Sequence, residues 1–331
     1  MKDKRQNRLV LAALAVLTLG AMALSLCVGS QGVALPRLLA ALRTGDPADP
    51  VRRIVLYVRL PRMAAGLCCG AAMAVAGALL QAVLNNAMAS PNVIGVNAGA
   101  GFFALLAGVL LPQRAVPGAA FAGALVTALL IYLLALRAGL ARTTLVLAGL
   151  AVSGILTAGV NTMRLLFPEG VTGADGFLIG GLSGVSLTAV GSALPYLAAG
   201  LVLALFLAPE LNILALGEQT AASLGLPVGR TRLASILAAA LLAGAAVSFA
   251  GLISFVGLLV PHIARRLVGV DHRVLLPACA LLGAIFLLVC DTAARTLFAP
   301  YELPVGILLN VIGGVFFLYL LLGRKRGRVY D

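Results

Sequence analysis

From Leu9 onward the chain alternates long apolar runs with short polar breaks, and the runs have the length of membrane crossings. Leu9 to Pro36 holds 28 residues without a charge, and a helix needs only about 20 residues to cross about 30 Å of hydrocarbon. Met63 to Gln113 holds 51 uncharged residues, too many for one crossing. Its middle, Asn85-Asn86-Ala87-Met88-Ala89-Ser90-Pro91-Asn92, gathers turn formers, so spans are predicted near 63–84 and 93–111. Further runs lie at 115–136, 144–166 and 190–208. Leu233 to Ala264, 32 residues, is divided by Ala250-Gly251 into one full and one short span, and runs at 274–290 and 303–322 complete ten. The predicted fold is an all-α polytopic membrane protein of about ten transmembrane helices. Residues 1–331 form a single transmembrane domain that is membrane-embedded over 9–322.

Composition agrees with this pattern. The chain is 62% hydrophobic and 11% charged, with a mean hydropathy of +1.10. A soluble globule is charged at about a quarter of its residues, and a disordered chain is far less apolar. A net charge of +13 ordinarily suggests nucleic acid, but only Lys2, Lys4 and Lys325 are lysines, and the arginines stand at the ends of apolar runs. That is the sorting expected of a chain in contact with membrane lipid, so no nucleic acid is expected as a partner. The first apolar run exceeds the roughly 7–15 residues of a signal-peptide core and reads as a first transmembrane helix. Cys27, Cys68, Cys69, Cys279 and Cys290 all lie in apolar stretches without C-x-x-C spacing, so they read as small core residues rather than metal ligands or disulfides.

An even number of spans puts both termini on one side. With the N-terminus inside, fifteen cations are internal: Lys2, Lys4, Arg5, Arg8, Arg137, Arg142, Arg230, Arg232, Arg265, Arg266, Arg273, Arg324, Lys325, Arg326 and Arg328. Nine remain outside, so the positive-inside rule favours cytoplasmic termini. Six of the nine, Arg37, Arg43, Arg52, Arg53, Arg59 and Arg62, crowd one outer loop beside Asp46 and Asp49. They admit two readings, interfacial snorkelling or a docking face for an acidic partner. A weak internal echo, Ala72 to Leu80 against Ala246 to Ile253, would run in opposite directions across the membrane and is compatible with an inverted repeat.

The missing chemistry is informative. No lysine lies between positions 4 and 325, so the chain can hold neither a P-loop nor a Schiff-base lysine. His262 and His272 form no H-E-x-x-H pattern, and there is no nucleophile elbow. Glu169, Glu210, Glu218, Asp271, Asp291 and Glu302 sit at span ends rather than inside spans, unlike the acids of ion-coupled carriers. Asp291 and Arg295 have the i,i+4 spacing of an intrahelical pair. An enzyme is not expected, and the energy for any transport is expected from another subunit.

The internal segment 211–230 is the candidate for receiving that energy. Leu216 to Leu226 reads as a short helix preceded by Gly217, with Glu218 at its N-terminal dipole and Gly225 as its stop. Ala221 and Leu224 share a face with Gly217, and small residues there would let a partner's groove approach closely.

These blocks, in order, resemble the permease subunits of type II ABC importers, the FecCD family that imports ferric siderophores, haem and cobalamin. The blocks are Arg59-Leu60-Pro61-Arg62; Ala76-Gly77-Ala78-Leu79-Leu80-Gln81; Pro91-Asn92-Val93-Ile94-Gly95-Val96; Leu147-Ala148-Gly149; Leu216-Gly217-Glu218 through Leu224-Gly225; Phe255-Val256-Gly257-Leu258-Leu259-Val260-Pro261-His262-Ile263-Ala264-Arg265; Asp271-His272-Arg273; and Glu302-Leu303-Pro304-Val305-Gly306. The resemblance implies a permease subunit in the bacterial cytoplasmic (inner) membrane that forms a homodimer. It would work with two ATP-binding cassette subunits, which hold ATP and Mg, and with a periplasmic or lipid-anchored binding protein; no cofactor is expected on this chain. It implies that Gly217, Glu218, Ala221, Leu224 and Gly225 form the coupling helix, and that Arg59, Arg62 and Arg295 receive acidic residues of the binding protein. The fifth and tenth spans would line the pathway, with a gate at Thr143, Thr144 and Leu147. Three departures stand out: Asn85 to Pro91 replaces the family's N-P-L-A-x-P, Gly313-Gly314-Val315-Phe316-Phe317 lacks the proline common after the paired glycines, and Asn310 puts a polar side chain in the tenth span. The cargo is expected to be a ferric siderophore or similar chelate crossing a mostly apolar channel, with haem or cobalamin as alternatives. A stand-alone carrier or channel is the alternative of another class.

Overall fold

The computed structural model describes residues 4–29, 32–44, 46, 48–138, 142–168 and 174–323. Lys2, Glu169, Arg324, Lys325, Arg326 and Arg328 lie outside the described residues. In chain order the α-helices are α1 (Lys4–Cys27), α2 (Leu35–Thr44), α3 (Pro50–Ile54), α4 (Leu60–Val83), α5 (Val96–Leu110), α6 (Val116–Arg137), α7 (Arg142–Leu166), α8 (Ala174–Ile179), α9 (Leu187–Phe206), α10 (Ala208–Leu214), α11 (Glu218–Ser223), α12 (Val228–Ala250), α13 (Val256–Val268), α14 (His272–Thr296) and α15 (Val305–Gly323). Among the described residues seven helices are long and apolar enough to cross a membrane, and Val96–Leu110 and Val305–Tyr319 are shorter apolar helices. With the 13-residue α13 these make ten segments, one at each predicted span.

The largest difference from the predicted outline lies in the arginine-rich outer loop, which is mostly helical. Asp49 caps α3, its carboxylate accepting from the Val51 amide at 2.8 Å, and Pro50 occupies the first turn, where its missing N–H costs nothing. A π-helical turn, Val55–Arg59, then joins α3 to α4 in one 34-residue helix, Pro50–Val83. At 1.5 Å per residue that is about 50 Å, well beyond the roughly 30 Å hydrocarbon layer.

α4 is the centre of the bundle and packs against α9, α12, α13 and α14. Its contact face is alanine and glycine, so neighbouring backbones touch. A Cβ on Gly77 would lie 1.9 Å from the Gly257 carbonyl oxygen, and one on Gly70 would lie 2.3 Å from that of Gly283. In lipid, such small-residue contacts supply the packing that hydrophobic transfer cannot.

The predicted division after Ala250 is real and is satisfied internally. Gly251 leaves α12 at φ +69°, and Leu252 N donates to Phe177 O at 2.9 Å while Gly181 N donates to Ala250 O at 2.9 Å. Gly306 N, on α15, donates to Gly180 O at 3.0 Å. Interrupted backbone inside a membrane must find partners in this way. Phe255 starts α13 in the left-handed region (φ 64°), and its ring lies where a Cβ on Gly313 would sit, 2.1 Å from that position at its nearest atom, so Gly313 is the space for the ring. The two echoing stretches take different local structures: residues 72–80 run inside α4, whereas 246–250 finish α12.

Candidate functional site

At one end of the bundle α11 stands out from the helices that carry it. Gly217 precedes it at φ +105° and Gly225 follows it at φ +84°, conformations that admit glycine and strain other residues. Glu218 Oε2 accepts from Arg232 Nη2 at 2.7 Å, and Arg232 is itself buried at the start of α12. Gln219, Thr220, Ala222, Ser223 and Leu224 are exposed, Leu224 at 63%. Ala221 is fully buried, so the face expected to join it with Gly217 and Leu224 is split: Ala221 packs into the bundle and Leu224 points away from it.

At the opposite end the structure brings Arg59, Arg62 and Arg295 together, exposed by only 4%, 5% and 3%. Arg62 Nε donates to both oxygens of Asp291 at 3.1 and 3.0 Å, its Nη2 donates to Oδ1 at 3.0 Å, and its Nη1 donates to Glu302 Oε2 at 2.6 Å. The i,i+4 ion pair of Asp291 with Arg295 Nε is present at 3.3 Å but is not aligned as a hydrogen bond. The main partner of Asp291 is therefore Arg62, across α4 and α14. Arg295 Nη2 reaches Ser25 O at 3.2 Å, and Arg59 Nη1 donates to Leu26 O at 2.6 Å and Cys27 O at 3.1 Å, so both arginines also bind the end of α1. Arg37, Arg43 and Arg53 are exposed at this end. A cavity of about 270 Å³ reaches Arg62 and Glu302 from outside the network.

Between the starts of α5 and α15 and the second half of α7 lies a cavity of about 570 Å³. Asn310 lines it, and so do Asn92, Asn97, Asn161, Ser153, Thr157 and Arg164. Asn92 Nδ2 donates to Ser254 Oγ at 3.3 Å and Asn97 Nδ2 to Ile253 O at 3.3 Å. Asn97 Oδ1 and Ser153 Oγ are buried without a hydrogen-bond partner. Amide and hydroxyl groups thus stand in the cavity wall among Ala98, Val160, Leu178, Ile179 and Leu252. Thr143, Thr144 and Leu147 are not part of it; they lie in the first turns of α7, with Thr143 and Leu147 exposed.

The FecCD transport family model matches residues 16–323. The chain belongs to the FecCD transport family. As a FecCD chain it is a transport permease subunit of the membrane. It is 37% identical over 323 residues to the iron(3+)-hydroxamate import system permease protein FhuB of Bacillus subtilis, covering 96% of this chain and 84% of that protein. It is 42% identical over 311 residues to the cobalamin import system permease protein BtuC of Halobacterium salinarum, covering 90% and 82%. Among solved structures, a metal-chelate type ABC transporter in an inward-facing conformation superposes with a TM-score of 0.84 at 28% identity, covering 95% of this chain and 99% of that one.

In this FecCD chain two asparagines of the cavity, Asn97 and Asn161, belong to none of the blocks or turns that the sequence marks out. A signal was present: Asn97 and Asn161 interrupt otherwise apolar runs, where a polar side chain is costly unless it faces protein or water. Their convergence with Asn310 depends on helix packing, and that is not written in the spacing.

Proposed function

We propose that this chain is the membrane-spanning subunit of an ABC importer that takes up a ferric siderophore or a similar metal chelate. Residues 1–331 act as one permease domain in the bacterial cytoplasmic membrane with both termini cytoplasmic, which makes the α11 end internal and the Arg62 end external. The observation that carries the reading is α11, a short helix presented outside the bundle yet tied to buried Arg232 through Glu218. Partner ATPases, holding ATP and Mg, engage this helix, and their closure reaches the bundle through that ion pair. Two copies of the chain pair around the pathway. The small burial of α7 supports this: only 11% of the residues in its apolar stretch are buried, while Ser153, Thr157 and Asn161 line the cavity that holds Asn310. The chelate passes that cavity and Asn310, and the gate lies at Thr143, Thr144 and Leu147. A periplasmic or lipid-anchored binding protein docks over the end holding Arg59, Arg62 and Arg295, where Arg37, Arg43 and Arg53 supply exposed charge. The 42% identity to a cobalamin permease keeps cobalamin as a second cargo.

Reconstitution in vesicles with the ATPase and binding protein tests the reading. Ferric chelate on the binding protein is expected to stimulate both ATP hydrolysis and uptake. Stimulation by cobalamin alone would change the cargo, and uptake without the ATPase would sink the importer reading. Leu224→Asp is expected to reduce stimulated ATPase activity about tenfold, an effect of about 1.4 kcal/mol, without changing the unfolding temperature, because Leu224 is 63% exposed. Normal stimulation in that variant would remove α11 from the coupling role.

A further inference from the structure

A second cavity of about 570 Å³ lies beside α11, bounded by the end of α4, the segment before α11, the last turns of α13 and the start of α14. Its lining includes Arg265, Arg266, His262, His272 and Gln81 and, among the described residues, no acidic side chain. Arg265 Nη1 donates to the neutral amide oxygen of Gln81, and among the described residues no carboxylate pairs with Arg265. Gln81 is held in turn, its Nε2 donating to Gly257 O at 3.1 Å and Leu258 O at 3.3 Å, so the guanidinium is placed rather than loose.

His272 is 4% exposed, and both its backbone N–H and its Nδ1 meet Asn212 Oδ1 at 2.8 Å. Asn212 Nδ2 donates to Asp271 Oδ1 at 2.7 Å, which fixes the amide orientation and makes Nδ1 the donor. Asp271 therefore spends this oxygen on Asn212 Nδ2 and the Arg273 amide. The Nε2 atoms of His272 and of His262 are buried with no partner. The cavity thus combines a guanidinium fixed by a neutral group with a second guanidinium exposed at Arg266.

We propose that this cavity binds a phosphate group, held by Arg265 and Arg266. Guanidinium forks match phosphate oxygens bidentately, and a cation taken from water requires a counter-charge that Gln81 does not provide. Its volume holds far more than one inorganic anion, which favours the headgroup of an acidic phospholipid as the source. On the topology proposed above the site faces the cytoplasmic leaflet, where basic pockets between transmembrane helices recruit such headgroups.

The test uses the full chain purified in detergent, without partner subunits, so its outcome is independent of the transport reading. Affinity is measured for phosphatidylglycerol, phosphatidylcholine and inorganic phosphate, with native mass spectrometry to count bound lipid. Phosphatidylglycerol is expected to bind at least tenfold more tightly than phosphatidylcholine. Arg265→Gln combined with Arg266→Gln should abolish that preference. Arg266→Gln alone, which changes an exposed side chain, should weaken it several-fold in a folded protein, and Arg230→Gln, exposed at the same end but outside the cavity, should leave it intact. Binding of inorganic phosphate with the same arginine dependence, and no lipid preference, would identify a soluble phosphate as the source. Equal affinity for the two lipids without phosphate binding, or a preference unmoved by the double substitution, overturns the site. So does finding it filled in the assembled transporter by an acidic segment of the ATPase, detected by cross-linking from Arg266→Cys.

Discussion

Asp291→Asn is expected to destabilise the chain by about 3–5 kcal/mol, the range for removing one partner of a buried ion pair. Asp291 is 1% exposed and stands between Arg62 and Arg295, themselves 5% and 3% exposed. Asparagine keeps the shape but leaves Arg295 without its carboxylate and Arg62 with only the partly exposed Glu302. Glu302 touches the same Arg62 yet its side chain is 36% exposed, so Glu302→Gln should cost below about 1 kcal/mol, as exposed pairs do. Thermal and denaturant unfolding in detergent compare the two. Equal losses would mean that Asp291 is not the keystone of this end. Arg62→Met with Asp291→Leu should lose less than the sum of the single changes, since the two residues form one interaction.

Gly77→Ala is expected to cost about 3 kcal/mol or more, the upper end of overpacking, because the added methyl meets backbone rather than a side chain that could turn aside. Its Cβ would lie 1.9 Å from the Gly257 oxygen, 2.4 Å from its carbonyl carbon and 2.5 Å from its Cα. Either α4 and α13 separate or the contact region distorts. Gly154→Ala, at a helix position with nothing within 4 Å, should be neutral or stabilise by up to about 1 kcal/mol through helix propensity. The yield of monodisperse protein and its unfolding temperature separate the two variants, and matching behaviour would show that α4 and α13 are not in backbone contact.

Much of this architecture was legible because the membrane imposes length. Runs of about 20 apolar residues broken by Asn, Pro and Gly clusters located all ten segments, and the turn after Val83 formed where Asn85 and Asn86 predicted it, with Asn86 Oδ1 accepting from Met88 N at 2.9 Å. The outer arginine segment misled because dense charge resembles a loop; the capping signal Asp49-Pro50 was local and readable, but the π turn that fuses α3 to α4 was not. The spacing of Asp291 and Arg295 revealed one ion pair, while Arg62, 229 positions from Asp291, could be matched to it only by the fold. The same limit hid the polar cavity and the Arg265–Gln81 contact, which depend on helices far apart in sequence.

The interior around α4 has a mechanical consequence. Ala65, Ala72, Ala74, Ala76 and Ala78 of α4 meet Ala239, Ala243 and Ala246 of α12 and Ala278 of α14 in one buried cluster. Alanine and glycine have no rotamers to lose on folding, so ordering this region costs little side-chain entropy. They also have none to exchange afterwards. A core of flexible side chains can absorb a change of shape by repacking in place, whereas the alanine and glycine contacts of this one have little to repack with. Any large rearrangement of the bundle must therefore move whole helices as rigid rods, sliding or tilting on their glycine contacts, and a displacement at one end of a rod is delivered to the other without being dissipated between them.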